Sequence, residues 1–380
     1  MKVVKGGVTK PKGFRANGLC CGIKKSGKQD LALIVSDVPA VGACVFTKNS
    51  VIAAPLVVSK KHIRNNKIQA IITNSGNANC FTGSVGLKYA EQTTELIGDL
   101  LNISKQDVIV SSTGIISKPL QYNHIKNSVS KLVEGLSMMG ATKAAQAILT
   151  TDLCTKEVTV EIIVGGKKVT IGACAKGSGM IAPNMATMLC FITTDAEISS
   201  KMLKLALKQA TDKSFNCITI DGCMSTNDMV TVMANGLAGN KKITTANKDF
   251  EIFCEALDYV CLDLAKKIVF DGEGATKFIE IKVQNAKDDK QAKAVALKVA
   301  NCNLVKTAAY GSNTNWGRVT AAVGALGIKE ITEENMNIKV SSFKKKNISI
   351  VVNLALGQGQ AKVYTSDLSK EYIRINAEYN

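Results

Sequence analysis

Residues 175–195 hold side chains that could form and break an acyl bond. Lys176 and a glycine-rich turn come first, a proline follows, and Ala186 and Thr187 stand directly before a long apolar run. That run has the length and composition of a buried strand, which places the Thr187 hydroxyl at the mouth of a rigid element. Threonine also occurs in strands for packing alone, so its type leaves Thr187 as either a nucleophile or a packing residue.

The letters of residues 176–189, Lys-Gly-Ser-Gly-Met-Ile-Ala-Pro-Asn-Met-Ala-Thr-Met-Leu, resemble the nucleophile segment of ornithine acetyltransferases, also called glutamate N-acetyltransferases. The resemblance covers essentially the whole chain. In that family the peptide bond before the threonine, here Ala186–Thr187, breaks autocatalytically. The resemblance therefore implies an α chain of residues 1–186 and a β chain of residues 187–380 that begins with the nucleophile.

The family's activity is acetyl transfer from N2-acetylornithine to glutamate in arginine biosynthesis, and the resemblance implies the same reaction here through an acetyl ester of Thr187. A free α-amine titrates near pH 7.7 to 8.0, so the amine that cleavage releases could serve as the base. Some family members also accept acetyl-CoA, and the sequence leaves that use open. No dinucleotide or P-loop fingerprint is present, and no bound cofactor is expected.

Thr113 and Gly114 follow an apolar strand at residues 108–110. A strand that ends in hydroxyl residues and a glycine can present an O–H and an N–H at one point, as a developing oxyanion requires. Ser-Thr-Gly is also a common turn, so the pattern alone does not decide. The resemblance assigns the oxyanion role to Thr113 and Gly114.

Four further residues are substrate contacts by resemblance. Lys176 and Thr150 match contacts of the family, and a cation near the nucleophile suits an amino-acid carboxylate. Glu273, in Gly-Glu-Gly-Ala-Thr-Lys, matches a glutamate that would pair the amine of ornithine, and Asn376 matches a substrate-binding asparagine. Without the resemblance, Lys176 is most simply a surface lysine and Glu273 an exposed loop acid.

Two positions depart from the family pattern. Asn313 and Thr314 stand where the family usually has Asp-Pro, so no role is transferred to them. The last residue of the sequence is Asn380. The family usually has a substrate-contacting threonine at the position after the one that matches Asn380.

Length and composition describe a folded α/β protein. The chain has 380 residues, 46% of them hydrophobic, which is enough for one large body or two modest domains. No stretch approaches the roughly 20 apolar residues of a spanning helix. The basic segment 1–7 lacks the apolar stretch of a secretory signal, which predicts a cytoplasmic protein. The resemblance implies an α2β2 heterotetramer of the two fragments, acting on small molecules and not on nucleic acid or membranes.

Twelve cysteines and two histidines are present, with no C-x-x-C pair. Scattered cysteines in apolar stretches predict reduced, mostly buried thiols and no metal site.

The net charge of +17 permits a nucleic-acid-binding protein as one alternative. The lysines form short clusters without interleaved aromatics, which favours a solvated basic face that attracts anionic substrates. A related N-terminal-nucleophile aminopeptidase or amidase is the other alternative.

The hydrophobic pattern predicts mixed strands and helices. The expected elements include strands at 30–36 and 41–47 joined by a proline turn, a strand at 68–73 followed by a loop at 74–79, a hairpin over 158–171, a long helix over 250–264, and a polar site loop at 221–228. The resemblance implies a layered, self-processing N-terminal-threonine nucleophile fold with mixed sheets packed between helices.

Overall fold

The structure, a computed structural model, describes residues 1–182 and 188–378. These residues form two compact units. Unit 1 comprises residues 1–177, 188–214 and 224–264, and unit 2 comprises residues 178–182, 215–223 and 265–378. The expected division into fragments 1–186 and 187–380 therefore differs from the division into units, because the second fragment contributes to both.

The described residues of unit 1 are organised around a nine-stranded mixed sheet. With strands numbered along the whole chain, its members are β1 (Lys2–Val4), β2 (Phe14–Leu19), β3 (Leu31–Phe46), β4 (Lys67–Asn77), β5 (Val108–Ile115), β6 (Lys156–Val164), β7 (Lys167–Lys176), β8 (Leu189–Thr194) and β10 (Met229–Ala234). They run in the order β1-β6-β7-β8-β10-β3-β4-β5, and β2 pairs with β3. The pairs β8–β10 and β4–β5 are parallel, and the other pairs are antiparallel.

Helices cover this sheet on both faces because β3 alternates its side chains between two cores. Leu31 and Leu33 belong to a cluster with three helices, α1 (Ala54–His62), α2 (Gly83–Leu101) and α3 (Tyr122–Glu134), whereas Ala32 and Ile34 belong to a cluster with α4 (Ala141–Ala147). Unit 1 also holds α5 (Ser200–Lys213), and α6 (Lys248–Phe270) starts there. The expected layered α/β class is confirmed.

The described part of unit 2 holds a five-stranded sheet in the order β12-β13-β11-β14-β9. Its strands are β9 (Ile218–Thr219), β11 (Phe278–Ala286), β12 (Asn337–Val340), β13 (Asn347–Asn353) and β14 (Gly359–Ser366), and its further helices are α7 (Asp289–Ala300), α8 (Asn303–Tyr310), α9 (Gly317–Gly324) and α10 (Lys370–Glu378). Ile279 and Ile281 on β11 share a core with Val295 and Val299 on α7.

The hairpin β6–β7 and the long helix α6 confirm their predictions, but two strand boundaries were wrong. Residues 31–46 form one strand through Pro39, and the irregularity that accommodates the proline is a register shift between Val35 and Ala40. Proline lacks a ladder donor and is tolerated at such irregularities. Residues 74–77, expected in a loop, continue β4 because β5 pairs with them.

All twelve cysteines are free thiols. The expectation that most are buried was wrong, because burial applies to only five of them: Cys80, Cys174, Cys190, Cys217 and Cys261. None of the helices formed by the described residues is long and apolar enough to cross a bilayer.

Candidate functional site

The predicted nucleophile Thr187 and its neighbour Ala186 lie outside the described residues. The structure describes the chain up to Ala182 and again from Met188. Both flanks are buried, with Ala182 at 5% and Met188 at 1% exposure. The predicted buried strand follows as β8, in which every residue is buried. The rigid element that the sequence predicted after Thr187 is therefore confirmed.

Directly after residues 183–187, within unit 1, the Met188 N–H donates to Oδ1 of Asp228 over 3.1 Å. Asp228 is completely buried just before β10. Burial raises the pKa of this carboxyl group well above its ordinary value, against the opposing hydrogen bond from Met188 and the charge of Lys176. The acid is therefore held in its protonated, uncharged form more readily than an ordinary aspartate.

Shortly before residues 183–187, within unit 2, a different carboxylate accepts hydrogen bonds from the backbone. Asp221 accepts hydrogen bonds from the N–H groups of Met180 over 2.6 Å and Ile181 over 3.0 Å. The Tyr372 hydroxyl also donates to Asp221 over 3.2 Å. The polar loop predicted at 221–228 thus supplies one carboxyl group to each side of residues 183–187, which include the predicted cleavage site.

The oxyanion candidate of unit 1 consists of Thr113 and Gly114, and Gly114 has a backbone conformation that only glycine fits. Its φ is +130°, and a Cβ there would lie 2.3 Å from the carbonyl carbon of Gly76, its partner on β4. Thr113 beside it is 2% exposed, and its hydroxyl makes no hydrogen bond to a described residue. The oxyanion role of this hydroxyl, which needs a donor that is not already used, stays a prediction.

Asn227 supports the end of β5 through hydrogen bonds to the backbone. Its side-chain amide donates to the carbonyls of Ala78 over 2.7 Å and Ser112 over 2.8 Å. The Ser112 hydroxyl donates in turn to the Asn74 side chain over 2.5 Å. These buried bonds fix the backbone that precedes Thr113, and sequence reasoning had placed Asn227 in the site loop without this function.

Lys176 and Thr150, two of the predicted substrate contacts, are brought together within unit 1. The Lys176 ammonium group donates to Thr150 Oγ1 over 2.8 Å at the end of β7. Lys176 is only 2% exposed, so the alternative of a surface lysine is wrong. Asp152 lies beside both residues: its Oδ2 accepts from the Thr150 N–H over 3.0 Å and is 3.8 Å from Lys176 Nζ.

Sequence reasoning did not identify Asp152 as a functional residue. Its Oδ1 accepts from Lys156 Nζ and from the Gly177 N–H, each over 2.7 Å. Burial by itself would raise the pKa of Asp152, but the ammonium groups of Lys176 and Lys156 outweigh burial and hold that pKa well below its ordinary value. The sequence offers one signal for Asp152, its place at the end of Thr150-Thr151-Asp152. That place does not reveal the contacts of Asp152 until the pairing of the strands around it is known.

Glu273 and Asn376, the other predicted contacts, are brought together within unit 2. The Asn376 side-chain amide donates to Glu273 over 2.8 Å from α10. Glu273 is 9% exposed, so the alternative of an exposed loop acid is wrong. Its carboxylate lies against Gly179, where a Cβ would approach it to 2.2 Å, which explains the glycine at that position.

A family model described as the ArgJ family matches residues 15–380. The chain belongs to the ArgJ family. It is 44% identical to the arginine biosynthesis bifunctional protein ArgJ of Geobacillus kaustophilus, over 99% of this chain and 97% of that one. It is also 44% identical to the glutamate N-acetyltransferase of Methanocaldococcus jannaschii, with both chains covered completely.

Among solved structures, the chain is 43% identical to the arginine biosynthesis bifunctional protein argJ of Bacillus halodurans. That match covers 49% of this chain and 98% of the other, with a TM-score of 0.46. The family resemblance drawn from the cleavage segment is confirmed by the family model and the full-length relatives. The roles of individual residues stay predictions.

Proposed function

We propose that this ArgJ-family chain transfers an acetyl group from N2-acetylornithine to glutamate, giving ornithine and N-acetylglutamate, through an acetyl ester on Thr187. The observation that carries the proposal is the buried Lys176–Thr150 pair at the end of β7, because a desolvated cation with a hydroxyl beside it suits an amino-acid carboxylate. Relatives named glutamate N-acetyltransferase and bifunctional ArgJ support the reaction.

The chain first prepares its own nucleophile. The Thr187 hydroxyl oxygen attacks the carbonyl carbon of Ala186, the C–N bond breaks, and the nitrogen leaves as the α-amine of Thr187. Water then hydrolyses the resulting ester and leaves a carboxylate on Ala186. The attack is intramolecular, so proximity replaces a bimolecular encounter.

The acetyl transfer then follows a ping-pong course. The α-amine of Thr187 takes the proton of its own hydroxyl, and the hydroxyl oxygen attacks the acetyl carbonyl of N2-acetylornithine. The Thr113 hydroxyl and the Gly114 N–H stabilise the oxyanion of the tetrahedral intermediate. The α-ammonium group returns its proton to the ornithine nitrogen, and ornithine leaves as the amine. Glutamate attacks the acetyl ester with its amine and departs as N-acetylglutamate.

In this scheme Lys176 and Thr150 bind the α-carboxylate of each amino acid, and Glu273 with Asn376 binds the side-chain amine of ornithine. No bound cofactor is required, and acetyl-CoA is a co-substrate only if the chain also acetylates glutamate directly. The two fragments, 1–186 and 187–380, remain partners in the proposed α2β2 heterotetramer.

Intact-mass measurement of the purified protein tests the proposal. We expect two fragments that meet at Ala186–Thr187, an uncut and inactive Thr187→Ala variant, and a Lys176→Ala variant that is cut but transfers acetyl groups poorly. An intact wild-type chain that still transfers acetyl groups would contradict the cleavage step. Release of free acetate without acetylated glutamate would favour the amidase or aminopeptidase alternative, and a parallel assay with acetyl-CoA and glutamate alone decides the second donor.

A further inference from the structure

Lys24 lies in the loop after β2 and hydrogen-bonds to the backbone of the residue directly before Thr150. Its ammonium group donates to the carbonyl of Leu149 over 2.6 Å and to the carbonyl of Gln29 over 2.8 Å. An ammonium group carries three N–H donors. The third one finds no acceptor in the part of the chain that the structure describes, and Lys24 is partly exposed, so a solute can reach it.

The stem of Lys24 lies at the oxyanion candidate. A Cβ on Gly76 would be 3.0 Å from Lys24 Cγ, so the stem covers Gly76 closely. Gly76 pairs with Gly114 across β4 and β5. Lys24 therefore connects two parts of the candidate site within unit 1, with its stem at the oxyanion turn and its charge at the residue before Thr150.

Two ammonium groups contact consecutive residues at this point. Lys24 binds the Leu149 carbonyl and Lys176 binds the Thr150 hydroxyl. The two charges are close enough for Lys176 to repel Lys24, so the pair suits a small ligand with two negative groups.

Two carboxylates beside these ammonium groups are already engaged. Asp152 is already shared by Lys156 and Lys176, and the Asp30 carboxylate is occupied by the backbone N–H groups of Cys21 and Lys24. Burial lowers the pKa of Lys24 to about 8, with attraction to Asp30 opposing the change and repulsion by Lys176 adding to it. An anion bound between the two ammonium groups would relieve that repulsion.

We propose that Lys24 is a specificity-determining residue that donates its third N–H to the side-chain carboxylate of glutamate while Lys176 binds the α-carboxylate. This inference rests on the proposed function. N2-acetylornithine has one carboxylate and carries an amine at the far end of its side chain, so only the dicarboxylic acceptor uses both lysines. Lys24 therefore acts on one half-reaction and not on the other.

Steady-state kinetics of Lys24→Met, which keeps the length of the side chain and removes its charge, test the inference. A charge-assisted hydrogen bond contributes enough for an increase of about 10-fold or more in KM for glutamate. We expect the KM for N2-acetylornithine to change by less than about threefold, since that substrate does not engage the lost charge. Lys24→Arg should restore most of the glutamate affinity.

Lys28→Met is the matched control, because Lys28 is exposed in the same loop and contributes only a distant charge to Lys24. It should leave both KM values near those of the wild type. Equal increases of both KM values in Lys24→Met, or no increase for glutamate, would overturn the inference, and equal increases would indicate a structural role.

A binding experiment separates this inference from the proposed reaction. Calorimetry with glutarate, which has both carboxylates and no amine, should show at least about 10-fold weaker binding to Lys24→Met than to the wild type. Equal glutarate binding would count against Lys24 even if acetyl transfer is observed. Absence of transfer in the wild type would instead contradict the proposed function and leave the glutarate comparison valid.

Discussion

The cluster around Lys176 in unit 1 and the cluster around Glu273 in unit 2 handle charge in different ways. Lys176 and Asp152 have side chains no more than 3% exposed, and Asp152 accepts hydrogen bonds on both oxygens, from Thr150, Lys156 and Gly177. Glu273 accepts from Asn376 on α10, a helix in which none of the residues from Lys370 to Glu378 is buried.

The difference indicates how each cluster can respond to its ligand. The carboxylate recognition proposed for Lys176 is built into the sheet, where removal of one buried charge disturbs the charges paired with it. The amine recognition proposed for Glu273 depends on a helix that is exposed to solvent and can adjust at small cost. Substitutions in the first cluster should therefore affect stability and activity together, and substitutions in the second should affect activity alone.

The largest effect is expected for Asp152→Asn. Removing this charge takes away a buried carboxylate that pairs with both Lys156 and Lys176, so the free energy of unfolding should fall by about 3 to 5 kcal/mol. The kcat/KM for both amino-acid substrates should fall by about 100-fold, because the Lys176 ammonium group loses a carboxylate that orients it. Urea unfolding and steady-state kinetics on the folded variant measure the two quantities.

Asp195→Asn is the control for that prediction. Asp195 is 1% exposed and accepts from the backbone N–H groups of Thr170 over 2.7 Å and Lys12 over 3.2 Å. Within the described part of the chain no ammonium group hydrogen-bonds to it, although the Lys12 charge lies near enough to attract it. It should lower stability while leaving both KM values unchanged. If Asp152→Asn behaves in the same way, Asp152 does not position Lys176.

A smaller effect is expected for Glu273→Gln, which should raise the KM for N2-acetylornithine by about 10-fold through loss of a charge-assisted bond. Its free energy of unfolding should change by less than about 1 kcal/mol, because the bond from Asn376 can be retained. Asn376→Ala serves as the companion variant with a KM increase of about threefold. A large loss of stability in Glu273→Gln would erase the proposed contrast between the clusters.

The smallest expected effect is a pH dependence of the KM for glutamate that arises from Lys24. The pKa of Lys24 is lowered to about 8 by burial, with Asp30 and Asp152 opposing the shift and Lys176 and Lys28 adding to it. Lys24 is charged below that pH, so the KM for glutamate should rise by a few fold as pH increases from about 7 to 9. In Lys24→Arg the charge persists, and a rise of the same size in that variant would exclude Lys24 as its source.

Periodicity predicted the local elements of this fold well and their pairing poorly. The alternation of Val158, Val160 and Ile162 predicted the hairpin, and the three- and four-residue spacing along α6 predicted the longest helix. Pro39 was taken as the centre of a turn because a local pattern cannot show that β4 pairs on both sides of it. The strand at residues 74–77 was missed for the same reason, since its pairing with β5 depends on residues that lie more than thirty positions away.

The candidate site could be predicted only where a motif carried it. The letters around Thr187, Gly114 and Glu273 match the family directly, although Thr187 itself lies outside the described residues. Asp152 closes the run from which Thr150 was predicted but received no role itself, and Lys24 belongs to no motif that sequence reasoning used. Their relevance comes from contacts to Lys176 and Leu149 that only the tertiary fold creates. Burial of Lys176 was also unpredictable, because lysine is usually exposed.

The order of strands in the large sheet has a consequence for how the proposed fragments could ever come apart. Strands β8 and β10 belong to the fragment after residue 186, yet they stand between β7 and β3 of the fragment before it, with Leu189 paired to Lys176. A nicked molecule would thus have two interleaved polypeptides sharing one set of backbone ladders. An affinity tag on either piece should recover both in equal amounts, and only denaturant should release one from the other.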